Sequence, residues 1–125
     1  MTGEADLARL LAGLDPDLDE VEYGFETVVE APPLGDAFAL IREAEGVTIV
    51  QPGRGWARIT LRVHSSLEAV GLTAQVASAL SVRGIAANVV AGVHHDYIFV
   101  PWQRRAEAME ALRQLAESDC SANSS

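Results

Sequence analysis

The sequence predicts a single α+β domain of ferredoxin-like type, in which helices lie on one face of a sheet. Its 125 residues, 49% of them hydrophobic, are enough for one domain with its own core. The second half of the chain shows the order β-α-β-β-α, the beginning of a split βαβ unit. An alternating stretch from Val21 to Val29 supplies an N-terminal strand that completes the sheet.

The first half begins with a short amphipathic helix, capped by Thr2, because leucines recur at helical spacing: Leu7, Leu10, Leu11 and Leu14. Asp15-Pro16-Asp17 ends it. Alternation then predicts that Val21, Tyr23, Phe25, Thr27 and Val29 share the buried face of a strand. Ala37–Ile41 fits either a helical turn or a strand, and we favour a strand that forms a hairpin with Val47–Val50.

The second half is more regular. A half-buried strand covers 58–63, and a helix from about Ser66 to Val82 is stopped by Gly84. Two strands, Ile85–Ala91 and Tyr97–Val100, are joined by a polar turn. A final helix covers about Gln103–Glu117, and we expect residues 118–125 to be disordered.

The helix after residue 66 carries no charge between Ala69 and Val82. A helix on one face of a single sheet normally shows a wider polar stripe. We therefore expect a second layer, such as the N-terminal helix, or a second subunit to cover it, and we predict a homodimer.

Composition excludes several classes of function. The net charge is −9, and the chain contains no lysine, so neither nucleic acid nor an anionic membrane is expected as a partner. No apolar run is long enough for a membrane span, and acidic residues stand where a signal peptide is basic, which predicts a cytoplasmic protein. A lone Cys120 excludes a disulfide framework and a cysteine-based zinc site.

The charge is uneven: residues 1–50 contain 12 acids and 2 arginines. Seven of these acids fall between Asp15 and Glu30. The stretch is interpreted either as a solvated face, which we favour, or as a docking surface for a basic partner.

In a split βαβ unit the end of strand 58–63, the start of the next helix and the turn His94–Asp96 meet at one sheet edge. All three histidines then converge there. Free N–H groups of the helix, with His64, Ser65 and Ser66, fit an anion such as a carboxylate. Equally, Ser65 with Glu68 forms a capping box whose role is only structural.

Other chemistries fit this edge less well. His64, His95 and Asp96 would make an open metal site, but histidines in a polar turn are usually solvated. A Ser-His-Asp triad lacks the nucleophile elbow around Ser65 or Ser66, and no phosphate-binding glycine loop is present. We therefore predict no enzyme, metal or cofactor.

Four segments resemble a family of small bacterial ACT-domain proteins of unknown function, over about residues 13–115. They are Val63–Ala74 (VHSSLEAVGLTA), Glu43–Thr48 (EAEGVT), Asn88–Gly92 (NVVAG) and His95–Pro101 (HDYIFVP). The resemblance implies two ACT-like ferredoxin folds in one compact unit: a degenerate half over 1–55 and an ACT domain over 56–117.

The resemblance also implies a function. ACT domains typically bind amino acids or other small effectors, regulate an enzyme or transporter, and commonly pair side by side with ligands near the loop before the first helix. In this sequence that loop is His64-Ser65-Ser66-Leu67, and we add Asn88, His95 and Asp96 as ligand-binding residues. The usual loop, D-x-x-G-x-hydrophobic, has serines here in place of its glycine, and Gly71 is predicted to lie inside the helix.

Two functions remain open. The favoured one is a regulatory domain that binds an amino acid or similar carboxylate and acts on another protein. The alternative is a protein-interaction or assembly module without a small ligand, which the uncharged helix and the acidic first half also fit.

Overall fold

The computed structural model describes residues 3–63 and 71–124, with side chains for 7–63 and 71–117. The helices are α1 (Gly3–Ala12), α2 (Leu72–Ser81) and α3 (Arg105–Ser124), and a 3-10 turn, Trp102–Arg104, precedes α3. The strands are β1 (Pro16–Val28), β2 (Ala39–Glu43), β3 (Gly46–Pro52), β4 (Trp56–Leu61), β5 (Asn88–Ala91) and β6 (Asp96–Pro101). They form one sheet in the order β2-β3-β1-β4-β6-β5.

The split βαβ unit predicted for the second half is confirmed. Both β4 and β5 pair antiparallel with β6, so they run parallel to each other with β6 between them. β1 completes the sheet by pairing with β4. The segment Ala37–Ile41, which fitted either a helical turn or a strand, contributes to strand β2. β2 and β3 form the predicted hairpin.

β1 is longer than predicted and is bent. Its beginning pairs with β4, where Leu18 lies opposite Ile59, whereas Tyr23–Val28 pairs with β3. The register with β4 shifts between Leu18 and Glu22, which marks a β-bulge. The predicted alternation holds for Tyr23 and Phe25, which pack in one cluster. It fails at both ends: Val21 lies at the bulge and is 43% exposed, and Val29 lies beyond β1 and is 88% exposed.

One face of the sheet packs against the helices. Alternate residues of β4 and β6, among them Ile59 and Ile98, meet leucines and a valine from all three helices on this side. Leu14, Leu80 and Leu112 are fully buried there. Burying such a side chain stabilises the fold by about 1.5–3 kcal/mol.

The opposite face carries an aromatic cluster formed by Tyr23, Phe25, Phe38, Trp56, Tyr97 and Phe99. Phe38, directly before β2, packs edge-on against Tyr97 of β6 with ring centroids 4.9 Å apart. β2 and β6 are four places apart in the sheet order. The sheet must therefore curl around this face, and Phe99 is completely buried under the rings.

α2 begins later than predicted. Gly71, which was expected inside the helix, precedes it with a left-handed φ of 95° that no continuous helix from Ser66 can contain. A Cβ atom at Gly71 would lie 3.1 Å from Leu7 Cδ2, so α1 packs closely against this point. α1 therefore packs beside the start of α2 in the same helix layer.

Two further boundaries differ from the prediction. β5 starts at Asn88 rather than Ile85, because Ile85 is buried and its N–H closes the end of α2 on the carbonyl of Leu80. α3 extends beyond the predicted Glu117 and ends at Ser124. No glycine or proline follows Glu117 to end the helix.

Among the helices that the structure describes, none is both long and apolar enough to cross a membrane.

Candidate functional site

Most of the predicted ligand loop cannot be placed. His64, Ser65, Ser66 and Leu67, together with Glu68 of the capping box, lie outside the described residues. Gly71 is the N-cap of α2, without a side-chain hydrogen bond. A glycine therefore stands directly before α2, and the prediction that Gly71 lies inside the helix is wrong.

His95 and Asp96 lie at the predicted edge of the sheet. Asp96 is the register partner of Leu61, the last residue of β4. Successive residues of a strand point to opposite faces. His95 accordingly shares the aromatic face with Tyr97, whereas Asp96 shares the helix face with Ile98. His94 is exposed in the turn.

Asn88 is not part of this edge. It pairs with Phe99, three residues along β6 from Asp96, which corresponds to about 10 Å along the strand. Its side chain is exposed on the outermost strand. The prediction that Asn88 joins His95 and Asp96 is therefore corrected.

The aromatic face contains a polar hollow of about 550 Å³ beside the end of β4, which we call the Arg58 hollow. It is lined by Asp17, Arg58, Thr60, Arg62, His95 and Tyr97. These residues come from β1, β4 and the beginning of β6, which are neighbours in the sheet. The volume lies within the range of about 300–1,000 Å³ that is usual for small-molecule pockets.

Arg58 is held rigidly at one wall of the hollow. Its guanidinium lies 4.8 Å from the ring centroid of Phe38, 5.1 Å from Tyr23 and 5.8 Å from Tyr97. It also forms an ion pair with Asp19, and its side chain is only 20% exposed. Its Nε is buried and has no hydrogen-bond partner among the described residues.

Arg62 and Asp17 form the outer wall. Arg62 donates a hydrogen bond of 2.8 Å to Asp17, and both side chains are about half exposed. This hydrogen bond, together with the charge of Asp17, raises the pKa of Arg62. The arginine therefore stays charged at every physiological pH.

His95 contributes a second polar atom without a partner. Its Nδ1 is buried and forms no hydrogen bond within the described part of the chain. Beside it, on the other face, burial raises the pKa of Asp96, an effect that the charge of His95 partly offsets. Buried polar atoms are nearly always satisfied, so Arg58 Nε and His95 Nδ1 are exceptions among the described residues.

Sequence reasoning missed the arginines and Asp17. Arg58, Thr60 and Arg62 were visible as the polar side of a strand, but that pattern normally marks a solvated face. The acids Asp17 and Asp19 were interpreted mainly as solvated, and both in fact pair with these arginines. The acids Asp17 and Asp19 meet these arginines only through the register of β1 with β4, and the bulge in β1 shifts that register.

A metal site is not formed by the described residues. No group of three or more histidine, cysteine, aspartate or glutamate side chains converges in 7–63 and 71–117. The predicted alternative of His64, His95 and Asp96 has one member outside the described residues, and the other two point to opposite faces.

Comparison with known proteins gives consistent matches. Family models of the ACT domain match residues 2–55 and 53–114. A protein of unknown function from Vibrio cholerae, described as a possible transport protein, is 38% identical, with a TM-score of 0.74. The alignment covers 89% of this chain and 96% of that one.

Two more distant structures share the fold. A protein from Agrobacterium tumefaciens is 21% identical over 77% of this chain and 84% of its own, with a TM-score of 0.62. The ligand-free regulatory subunit of aspartate kinase from Thermus thermophilus is 10% identical over 82% and 97%, with a TM-score of 0.63. A search of the curated proteins finds no significant match.

Proposed function

Because the chain belongs to the ACT-domain family, whose members are small-ligand regulatory domains, we propose that it binds an amino acid or a similar carboxylate. The bound state then regulates another protein, an enzyme or a transporter. In this proposal the chain is a sensor and carries out no catalysis itself.

The observation that carries the proposal is the start of α2. Its N-cap, Gly71, offers no side-chain cap, and its first turn contains no acidic residue. The first N–H groups of a helix have no partner within it and lie at the positive end of its dipole. A carboxylate is the group that satisfies them best.

The residues of the preceding loop complete this proposal. We infer that His64, Ser65, Ser66 and Leu67 surround the carboxylate, and that Asp96, which shares the helix face, approaches from the neighbouring edge, whereas His95 points to the aromatic face. The packing of Gly71 against Leu7 supports a route for regulation, because a shift at the start of α2 would displace the Leu7 side chain of α1.

A ligand screen tests the proposal. At 100 times the dissociation constant, an effector stabilises the folded chain by about 2.7 kcal/mol. A thermal-shift screen of the twenty amino acids and common carboxylate metabolites is expected to identify such a compound, confirmed by calorimetry. Ser66→Ala should weaken its binding, and Ser81→Ala, at the other end of α2, serves as the control.

The opposite result has a clear meaning. If no compound stabilises the chain, small-ligand regulation is rejected in favour of the assembly module without a ligand. A pull-down from lysate, with and without added metabolites, then identifies the partner.

We also infer a homodimer. β5 is an outer strand of the sheet, so one of its edges is open for pairing with a second copy. The exposed residues of α2 also carry no charge: Thr73, Ala74, Gln75, Ser78 and Ser81. Sedimentation of the samples used for the ligand screen gives the oligomeric state with and without effector.

A further inference from the structure

We propose that the open edge of β2 is a docking site for an extended segment of another protein, and that this segment is basic at the end that reaches the turn between β2 and β3. β2 is an outermost strand of the sheet, and within the described residues its only strand partner is β3. The main-chain N–H and C=O groups on its other side can therefore pair with an added strand. This inference stands even if the loop before α2 binds no effector.

Apolar side chains are exposed at this edge and beside it. Ile41, in the middle of β2, is 42% exposed, and Leu34 and Val29, in the loop that leads to β2, are 57% and 88% exposed. Ala39 packs against the aromatic cluster, so the alternation along the strand places Ile41 on the same face of the sheet. An apolar side chain of an added strand would lie beside Ile41, and the contact would remove both side chains from water.

The charge at one end of β2 selects a basic segment. A hollow of about 440 Å³ lies beside the turn between β2 and β3, and its charged lining residues among those described are Glu30, Arg42, Glu43 and Glu45. Glu43 accepts a hydrogen bond from Thr48 Oγ1. Glu30 and Glu45 form no hydrogen bond or ion pair within the described part of the chain. Three carboxylates against one guanidinium attract a lysine or arginine side chain of the partner.

A second copy of the chain fits this edge poorly. In a two-fold antiparallel pair of β2 strands centred on Ile41, Glu43 would lie opposite Ala39 of the other copy. Arg42 would lie opposite Leu40, so neither charge would meet its opposite. A pair centred on Arg42 would place two guanidinium groups against each other. β5, at the other edge of the sheet, carries no charge, so self-association belongs to that edge and a basic partner to β2.

Two synthetic peptides test the edge in both strand directions. Acetylated and amidated Thr-Val-Thr-Val-Thr-Lys-Lys and Lys-Lys-Thr-Val-Thr-Val-Thr are titrated into the ¹⁵N-labelled full chain. We expect one of them to shift the backbone amides of 39–43 and to slow hydrogen exchange at alternate amides of this strand. Glutamate in place of both lysines, or proline in place of the fourth residue, which removes a main-chain N–H, should each weaken binding at least about tenfold.

Variants connect the signal to the side chains. The double variant Glu30→Gln/Glu45→Gln should weaken binding of the lysine peptide at least about fivefold, because two carboxylates without a basic partner are lost. The double variant Glu20→Gln/Glu117→Gln removes the same charge from exposed positions outside the hollow, and it should leave the affinity within about twofold. Ile41→Thr keeps a β-branched side chain but reduces the apolar contact, and it should also weaken binding.

Four results would overturn the proposal. One is that neither lysine peptide shifts or protects the amides of 39–43. Another is that the glutamate or proline peptide binds as well as the lysine peptide. The third is that the shifts are confined to 88–91, which assigns strand addition to β5 instead. The fourth is protection of 39–43 that rises with chain concentration in the absence of peptide, which assigns the edge to a second copy. The effector screen is a separate measurement, so each proposal can fail alone.

Discussion

Arg58 illustrates how a single residue acquires its role only from partners that are distant in sequence. Three aromatic rings and one carboxylate surround its guanidinium, and they come from β1, from the residue before β2 and from β6. Cation–π contacts contribute about 0.5–2 kcal/mol, depending on how well the cation is shielded from water. An isolated strand pattern shows only that position 58 alternates with apolar neighbours.

Asp96 gives a prediction at the same scale. Burial raises the pKa of its carboxyl group, which means that the folded state disfavours the ionised form. Asp96→Asn should therefore stabilise the protein at neutral pH, by less than about 1 kcal/mol because the group is partly exposed. The gain should shrink as the pH falls through the pKa of the folded carboxyl, since the wild-type side chain is then neutral too.

Urea unfolding at neutral and at mildly acidic pH measures this difference. Asp36→Asn, in the exposed loop before β2, serves as the matched control and should change stability by no more than about 0.5 kcal/mol. A stabilisation by Asp96→Asn that persisted unchanged at acidic pH would contradict the explanation by ionisation.

α2 depends on a contact made before its first turn. Gly71 has a φ of 95° and touches Leu7 of α1, whereas Gly84, after the helix, has a φ of 71° and open space around its Cα. Both positions require a left-handed backbone, which costs other residues about 1–2 kcal/mol. At Gly71, but not at Gly84, an added methyl group would also press on the Leu7 side chain.

The two glycines therefore predict unequal effects of the same substitution. Gly84→Ala should cost about 1–2 kcal/mol, and Gly71→Ala about 1 kcal/mol more, because the end of the Leu7 side chain must move slightly to admit the methyl group. The free energy of unfolding in urea measures both.

A double-mutant cycle tests the cause. Leu7→Ala should be less destabilising in the Gly71→Ala background than in the wild type, because it makes room for the added methyl group. Strict additivity of the two substitutions would contradict the contact.

The elements differ in how far the sequence could predict them. β4 was predicted well because strict alternation along a strand is a local signal. β6 was predicted as a short apolar run between a polar turn and Pro101, which is also a local signal. β1 was predicted only in part, because its bulge depends on pairing with two different strands. The start of α2 was predicted too early, because the local sequence Ala-Val-Gly-Leu favours a helix. The contact of Gly71 with Leu7 joins residues that are distant in sequence and leaves no local signal. At the site, the topology predicted that His95 and Asp96 lie at the sheet edge beside the end of β4. The Arg58 hollow was not predicted, because it depends on the register of β1 with β4.

At the scale of the whole molecule, the two halves share one sheet and one aromatic cluster. β1 pairs with β4 across the boundary between them, and Phe38 from the first half packs on Tyr97 and Phe99 of the second. We therefore expect the chain to unfold in one cooperative transition.

Phe38→Ala tests this coupling. It should destabilise the chain by about 2–4 kcal/mol, because it removes a partly buried ring. The fluorescence of Trp56 and Trp102, both in the second half, should report the same lowered midpoint as far-ultraviolet circular dichroism. Leu34→Ala, in the same loop but 57% exposed, should change stability by no more than about 0.5 kcal/mol. A tryptophan signal unaffected by Phe38→Ala would show that the halves unfold separately.

The pairing of the bent strand β1 with two later strands has a consequence for folding during synthesis on the ribosome. Its two partners are made later, first β3 and then β4, and the ring of Phe99 that its face covers is made later still. Until those residues emerge, β1 is an unpaired, strongly acidic strand without a core. The acidic side chains of β1 repel one another, and this repulsion keeps the unpaired segment soluble. Once Arg58 and Arg62 have been synthesised, their ion pairs with Asp19 and Asp17 reduce the repulsion.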